Sequence, residues 1–164
     1  MDKKSEFITV IKTHEGIIFK VAAFYIRDAD DRQDLYQEIV YQLWKSFDSF
    51  KGQSKLSTWI YRVALNTAIY ALQKSKRRIT TSVLDQEIIQ VPDDEYSMET
   101  EERIQSLYKL IRQLNLVEKG IVLLYLEGKS YQEIAEITGI SASNVGTKLS
   151  RVKEKMKTQI TKNT

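Results

Sequence analysis

Asp30, Asp31 and Asp34 stand at the spacing DDxxD inside RDADDRQDLYQE, residues 27–38. Carboxylates at that spacing fall on one side of a helix and can hold magnesium bridged to a diphosphate. A different chemistry is written near the end of the chain, in SYQEIAEITGISASNVGTKLSRVKEK, residues 130–155. There a turn glycine, Gly139, separates two short amphipathic stretches, and basic residues crowd the second. That pattern suits a polyanion whose bases are read in a groove. The elements that must position each set decide between the two chemistries.

A diphosphate enzyme of the all-α kind needs a deep apolar cavity in a large bundle and a second acidic motif on a facing helix. The residues before position 80 are too few to enclose such a cavity, and they carry no second motif. Acids at a helix start interact favourably with the helix dipole, which accounts for Asp28, Asp30 and Asp31 without a metal. The sequence has no cysteine and one histidine, His14, which excludes disulfides and disfavours a Cys/His metal site. His14 sits on a mixed helix face, where a surface or half-buried role is expected. Neither a metal nor a cofactor is expected, and the protein does not read as an enzyme. No apolar run approaches the roughly 18 residues of a membrane span. The start MDKKSEF lacks the apolar core of a signal peptide, so the expected location is the cytoplasm.

One proline and six glycines in 164 residues, with hydrophobic residues at 42%, favour helix nearly throughout and enough apolar surface for a core. The net charge of +3 conceals a division. Residues 1–79 hold 14 Lys and Arg against 9 acids, residues 80–103 one Arg against 8 acids, and residues 104–164 10 Lys and Arg against 5 acids. Two basic modules thus flank an acidic stretch, and basic modules seek polyanions.

The expected fold is all-α, with two small helical domains. The first, residues 1–79, is a three-to-four-helix bundle. Its helices run from about Ser5 to Tyr25, onward from RDADD, and from about Leu56 to Lys76, around a polar loop at 47–55. Inward stripes are Phe7, Ile11, Ile18, Val21, Ala22 and Tyr25; then Leu35, Ile39, Leu43 and Phe47; then Leu56, Ile60, Val63, Thr67 and Ala71. Residues 80–102, with the only proline and a run of acids, read as a flexible linker. The second domain, residues 103–164, is a four-helix unit with helices near 103–114 and 117–127 before the terminal motif.

In that motif Ser130 and Glu133 fit a capping box, and Ile134, Ala135 and Ile137 form an apolar side. Gly139 turns the chain, Ile140 plugs the corner, and Ser141 caps a helix that carries Val145, Leu149, Val152 and Met156 inward. Ser143, Asn144, Thr147, Lys148, Ser150 and Arg151 are left outward. This is the logic of a helix-turn-helix, whose second helix enters the major groove. Asn suits adenine and Lys suits guanine, each good contact giving about 1–3 kcal/mol of discrimination. Arg151, Lys153, Lys155 and Lys157 lie farther along, where phosphates are met.

In the first domain Asp34 and Glu38 share one face with Gln37 and Tyr41 nearby, too polar for a core and suited to a protein partner. On the third helix Arg62, Asn66 and Tyr70 lie four apart, opposite its apolar stripe, with Trp59 and Tyr61 near the start and KSKRR (74–78) at the end. Aromatic residues among cations and amides are what single-stranded DNA asks for. Trp59 fits equally a core anchor or a stacking platform.

The stretch DRQDLYQEIVYQLWKSFDSFKGQSKLSTWIYRVALNTAIYALQKSKRR (31–78) resembles the promoter −10 domain of sigma-70 family factors. The stretch LIRQLNLVEKGIVLLYLEGKSYQEIAEITGISASNVGTKLSRVKEKMK (110–157) resembles their −35 domain. Their order, with no domain between, is similar to the extracytoplasmic-function (ECF) group. The resemblance implies an initiation factor that binds core RNA polymerase and directs it to promoter DNA, melting the −10 region. Core binding would fall to Asp34, Leu35, Gln37 and Glu38, which match the family's DLxQE stretch. The −10 element would be met by Phe50, Lys51, Gly52, Ser54, Trp59, Arg62 and Asn66, and the −35 element by Ser143, Asn144, Thr147, Lys148 and Arg151. Capturing a melted base costs a few kcal/mol that a pocket and stacking must offset. The resemblance also leaves room for an anti-sigma factor as a partner. An acidic linker can mimic RNA in a basic channel, so lysines in place of Asp93, Asp94 and Glu95 are expected to weaken initiation.

Two departures stand out. Many relatives carry arginine or lysine at the position of Gly146, and a glycine inside a helix costs about 1 kcal/mol against alanine. The family's proline ahead of the helix-turn-helix support helix is replaced by Asn115 or Leu116. The other reading is a polymerase-independent helix-turn-helix regulator whose N-terminal helices dimerise or sense a ligand, but a ligand pocket would not call for the Arg62–Asn66–Tyr70 face.

Overall fold

A computed structural model of the chain describes residues 2–50, 52, 54–78 and 98–162, and the regular structure among them is entirely helical. The helices are α1 (Lys3–Tyr25), α2 (Ala29–Ser46), α3 (Leu56–Arg78), α4 (Met98–Gln113), α5 (Leu116–Leu126), α6 (Tyr131–Thr138) and α7 (Ala142–Lys162), with a 3-10 turn at Phe47–Ser49. Most of the segment expected as a linker, including Asp93, Asp94 and Glu95, lies outside the described residues. Its last residues, 98–102, belong to α4 instead. Methionine and glutamate, four of the five residues of METEE, are good helix formers, and its acids suit the positive end of the helix dipole.

Helix starts are set by local chemistry. Asp2 caps α1 by accepting from the Ser5 backbone N–H at 2.8 Å. Asp28 caps α2 by accepting from the N–H groups of Asp30 and Asp31 at 2.9 and 3.0 Å. The acids of RDADD therefore build a helix start. α1 departs from helical geometry at His14 (φ −116°, ψ 17°), whose half-buried ring donates from Nδ1 to the Val10 carbonyl at 3.0 Å.

α1, α2 and α3 bundle around Ile18, Val21, Ala22, Leu35, Ile39, Leu43, Ile60, Ala64 and Ala68. The inward faces of α1 and α2 are as their periodicity predicts, with Ile11 and Phe47 half-buried. The stripe expected on α3 is corrected. Leu56, Val63, Thr67 and Ala71 are only half-buried, while Trp59, Ile60, Tyr61, Ala64, Leu65 and Ala68 are buried. The reason is that α3 packs against α1 and α2 on one side and α5 and α6 on another, so it has no single inward face.

The C-terminal helices are fixed by two capping boxes, Asn115 with Glu118 and Ser130 with Glu133. Asn115 supplies the helix start of α5, its side chain accepting from the Glu118 N–H at 2.8 Å. Gly139 closes α6 at φ +79°, a left-handed conformation that strains any residue with a Cβ. The Asn144 N–H donates to Ser141 Oγ at 3.1 Å, and α7 buries Val145, Leu149 and Val152, with Met156 half-buried.

The two helical units pack against each other. One apolar cluster runs from Phe7 and Trp59 through Ile60, Tyr61 and Leu65 to Ile121, Leu124, Ile134 and Leu149. No helix among the described residues is long and apolar enough to cross a membrane.

Candidate nucleic-acid interface

The outward face of α7 presents Ser143, Asn144, Thr147 and Arg151 to solvent, with Lys148 half-buried beside them. Thr147 Oγ1 donates to the Ser143 carbonyl at 3.1 Å, which fixes its rotamer and leaves its oxygen able to accept. Ser143 to Lys148 sit within two turns of the capped start of α7, where base edges are reached when such a helix enters a groove, and Arg151 lies one turn farther along.

The −10 candidates divide. Phe50 is half-buried, and its ring centroid lies 5.0 Å from that of Trp59. Gly52 is exposed at φ +71°, Ser54 is half-buried, and Lys51 lies outside the described residues. Of the two roles open to Trp59, its position in the closed form is that of a core anchor. It is 7% exposed, and Phe47 and Phe50 pack on its ring, so a base cannot reach its face in this state. Tyr61 is likewise buried, under the Lys129 ammonium at 5.4 Å. Asn66 is exposed and shares a groove of about 600 Å³ with Tyr70 and Lys74.

Across that groove stand Glu38 and Gln42 of α2, with Gln42 Nε2 donating to Glu38 Oε1 at 3.0 Å. Asp34, Gln37 and Glu38 are exposed on α2, as a protein-docking face requires. Leu35, the fourth residue expected there, is 4% exposed and points into the bundle between its polar neighbours.

Arg62 carries the least expected contact. Its Nη2 donates to the carbonyl of Glu136 in α6 at 2.6 Å, joining α3 to the helix-turn-helix. Around it, Tyr25 Oη donates to the Leu116 carbonyl at 2.7 Å and Lys20 pairs with Glu127 at 2.9 Å. Gly120 of α5 is buried at the centre of this seam. A Cβ there would stand 2.9 Å from Tyr25 Oη and 3.3 Å from Leu65 Cδ2. Sequence reasoning named none of Lys20, Gly120, Glu127 or Glu136. The one available signal was a glycine inside the apolar run of α5, which implies close packing.

Burial pushes the Tyr25 hydroxyl well above the ordinary tyrosine value of 10.0. Tyr61 moves the same way, through burial and then the charge of Glu127. A folded-state value above the unfolded one gives stability that is whole below the unfolded pKa and is lost as pH rises from there toward the folded value. The seam is therefore expected to loosen above about pH 10. Small-angle scattering should show expansion that begins there and is shallower in Tyr25→Phe, where Tyr61 alone remains.

Comparison with known proteins fits both modules. Residues 10–78 match the family model for sigma-70 region 2, and residues 104–156 match that for sigma-70 region 4. The ECF RNA polymerase sigma-E factor of Escherichia coli is 28% identical, over 93% of this chain and 85% of that one. The chain belongs to the ECF group of the sigma-70 family. The RNA polymerase sigma factor SigV of Bacillus subtilis is 29% identical, over 97% of this chain and 93% of its own length. In fold, this ECF sigma factor is similar to RpoE of Bartonella quintana, solved with the anti-sigma factor NepR (TM-score 0.70, 21% identity, 96% of each chain). It is also similar to CnrH, solved with the cytosolic domain of CnrY (TM-score 0.66, 15% identity, 99% of this chain and 92% of that one). As an RNA polymerase sigma factor it directs transcription initiation, and the polymerase-independent regulator is not favoured.

Proposed function

We propose that this sigma factor divides its work among three faces and must open to use them together. The exposed acids and amide of α2, Asp34, Gln37 and Glu38, dock on core RNA polymerase. The loop from Phe50 to Ser54 with Arg62 and Asn66 of α3 captures the −10 strand. The outward face of α7, with Ser143, Asn144, Thr147, Lys148 and Arg151, reads the −35 element. The segment 80–97 and the start of α4 connect residues 1–79 to the −35 unit, and the whole works in the cytoplasm, where polymerase is.

The observation that carries the proposal of opening is the Arg62–Glu136 contact. Elements centred at −10 and −35 are about 25 base pairs apart, or roughly 85 Å along the duplex at 3.4 Å per base pair. Two modules in van der Waals contact cannot reach both. Arg62 also spends its guanidinium on a protein carbonyl while the seam is closed. RpoE and CnrH are each solved with an anti-sigma partner. By that likeness this chain is a candidate to bind one in the closed form.

Mixing the protein with bacterial core polymerase tests the reading: a stable complex and promoter-specific transcripts are expected. Glu38→Ala should weaken core association without changing DNA contacts. Lys148→Ala should leave core association intact and lower the preference for an intact −35 element about tenfold. If both variants impair core association equally, the division of labour is wrong.

A further inference from the structure

Tyr125, Tyr131 and Lys153 meet on a flank of α7 that no role above uses. The Lys153 ammonium lies 4.6 Å over the Tyr125 ring, and the Tyr125 hydroxyl, with Tyr131 adding, holds its pKa above the ordinary lysine value. Both rings are partly exposed, each at 39%, and Lys153 is exposed. Tyr131 packs over Gly146: a Cβ there would stand 3.4 Å from Tyr131 Cε2 and 3.6 Å from Cδ2, ordinary contact distances, so only a side chain longer than a methyl would compete with the ring for this space. Gly146 and Lys153 are seven residues apart, hence on one side of α7 about two turns apart. The Tyr131 ring therefore lies where a long side chain at 146 would run.

Tyr131 is also the first residue of α6, just after the Ser130 cap. When a helix-turn-helix docks, the recognition helix enters the groove and the helix before it crosses the sugar-phosphate backbone. Lysine ammonium groups, tyrosine hydroxyls and helix N-termini are the groups that hold phosphates. We infer that Tyr125, Tyr131 and Lys153 form a clamp for a backbone phosphate beside the −35 element, over a Gly146 that sends no long side chain into the same space. The clamp rests on the −35 reading of α7. It delivers a phosphate contact from the preceding helix at the place where a longer side chain at 146 would otherwise lie.

The test uses holoenzyme reconstituted with core polymerase. Its DNA would be a promoter fragment that the wild type transcribes and the same fragment with a scrambled −35 element, each bound over a salt series. Tyr131→Phe keeps the ring on Gly146 and removes only the hydroxyl; it should weaken binding about threefold to tenfold on both fragments alike. Lys153→Gln should do the same and lower the slope of log affinity against log salt by about one. Gly146→Leu should weaken both fragments similarly by displacing the ring. The clamp is refuted if Tyr131→Phe and Lys153→Gln bind as wild type does with an unchanged salt slope. It is refuted equally if their losses appear only on the intact −35 fragment, which would make these base contacts. A wild-type holoenzyme that does not distinguish the two fragments sinks the −35 reading, and the clamp with it.

Discussion

Gly120→Leu is expected to hold the protein open. The three nearest atoms to a Cβ at this position are Tyr25 Oη at 2.9 Å and the two Leu65 Cδ atoms at 3.3 and 3.7 Å, all in the other module. Tyr25 is 9% exposed and Leu65 3%, so neither can swing away without breaking the seam. Inserting a side chain into a packed core costs about 1–3 kcal/mol. Losing the Tyr25–Leu116 hydrogen bond adds about 1–3 kcal/mol when a buried group is left unpaired. Together these shift the balance between closed and open forms roughly a hundredfold toward open. α5 should not suffer, because replacing a helix-interior glycine gains up to about 1 kcal/mol. Small-angle scattering should report a larger radius. Association with core polymerase should tighten, because the open form no longer has to be drawn from a closed one. An unchanged scattering profile together with wild-type core affinity would show that the seam has no part in controlling assembly.

Trp59→Ala should cost about 3–5 kcal/mol of stability, the range for removing a buried aromatic ring. That is a large share of the 5–15 kcal/mol typical of a small domain. The ring fills the space between Phe47 and Phe50, at centroid distances of 6.2 and 5.0 Å, with Phe7 packed on Phe47 at 5.3 Å. Its removal leaves Phe50 without a seat, so the loop proposed to meet the −10 strand loses its shape along with the bundle. Chemical denaturation should reveal the loss directly, and Trp59→Phe should recover most of it. A variant that melts like wild type yet fails to open promoters would instead make Trp59 a stacking surface for a flipped base.

Much of this protein was legible in its sequence wherever the signal is local. Ser130 and Glu133 announced a capping box because both partners lie within one turn, and the box forms. Gly139 announced a left-handed helix end for the same reason. The inward faces of α1, α2 and α7 followed from helical periodicity, since each of these helices has one principal apolar side. The order of two basic helical modules around an acidic stretch, and with it the sigma-70 resemblance, also needed nothing beyond the chain.

The tertiary structure decided what local pattern cannot encode. Periodicity reports one face per helix, so α3, buried on two sides, was assigned the wrong stripe and Trp59 was left open. Leu35 fell inside a docking motif by position but inside the core by rotation about the helix axis. The Tyr25–Leu116 and Arg62–Glu136 bonds span 91 and 74 residues of chain, and neither partner carries a mark of the other. Capping, backbone conformation and periodicity depend on neighbours within a few residues, and the sequence by itself determined those. Which module faces cover each other depends on how whole helices pack, and only the folded chain could place Arg62 against α6 and Gly120 against Tyr25.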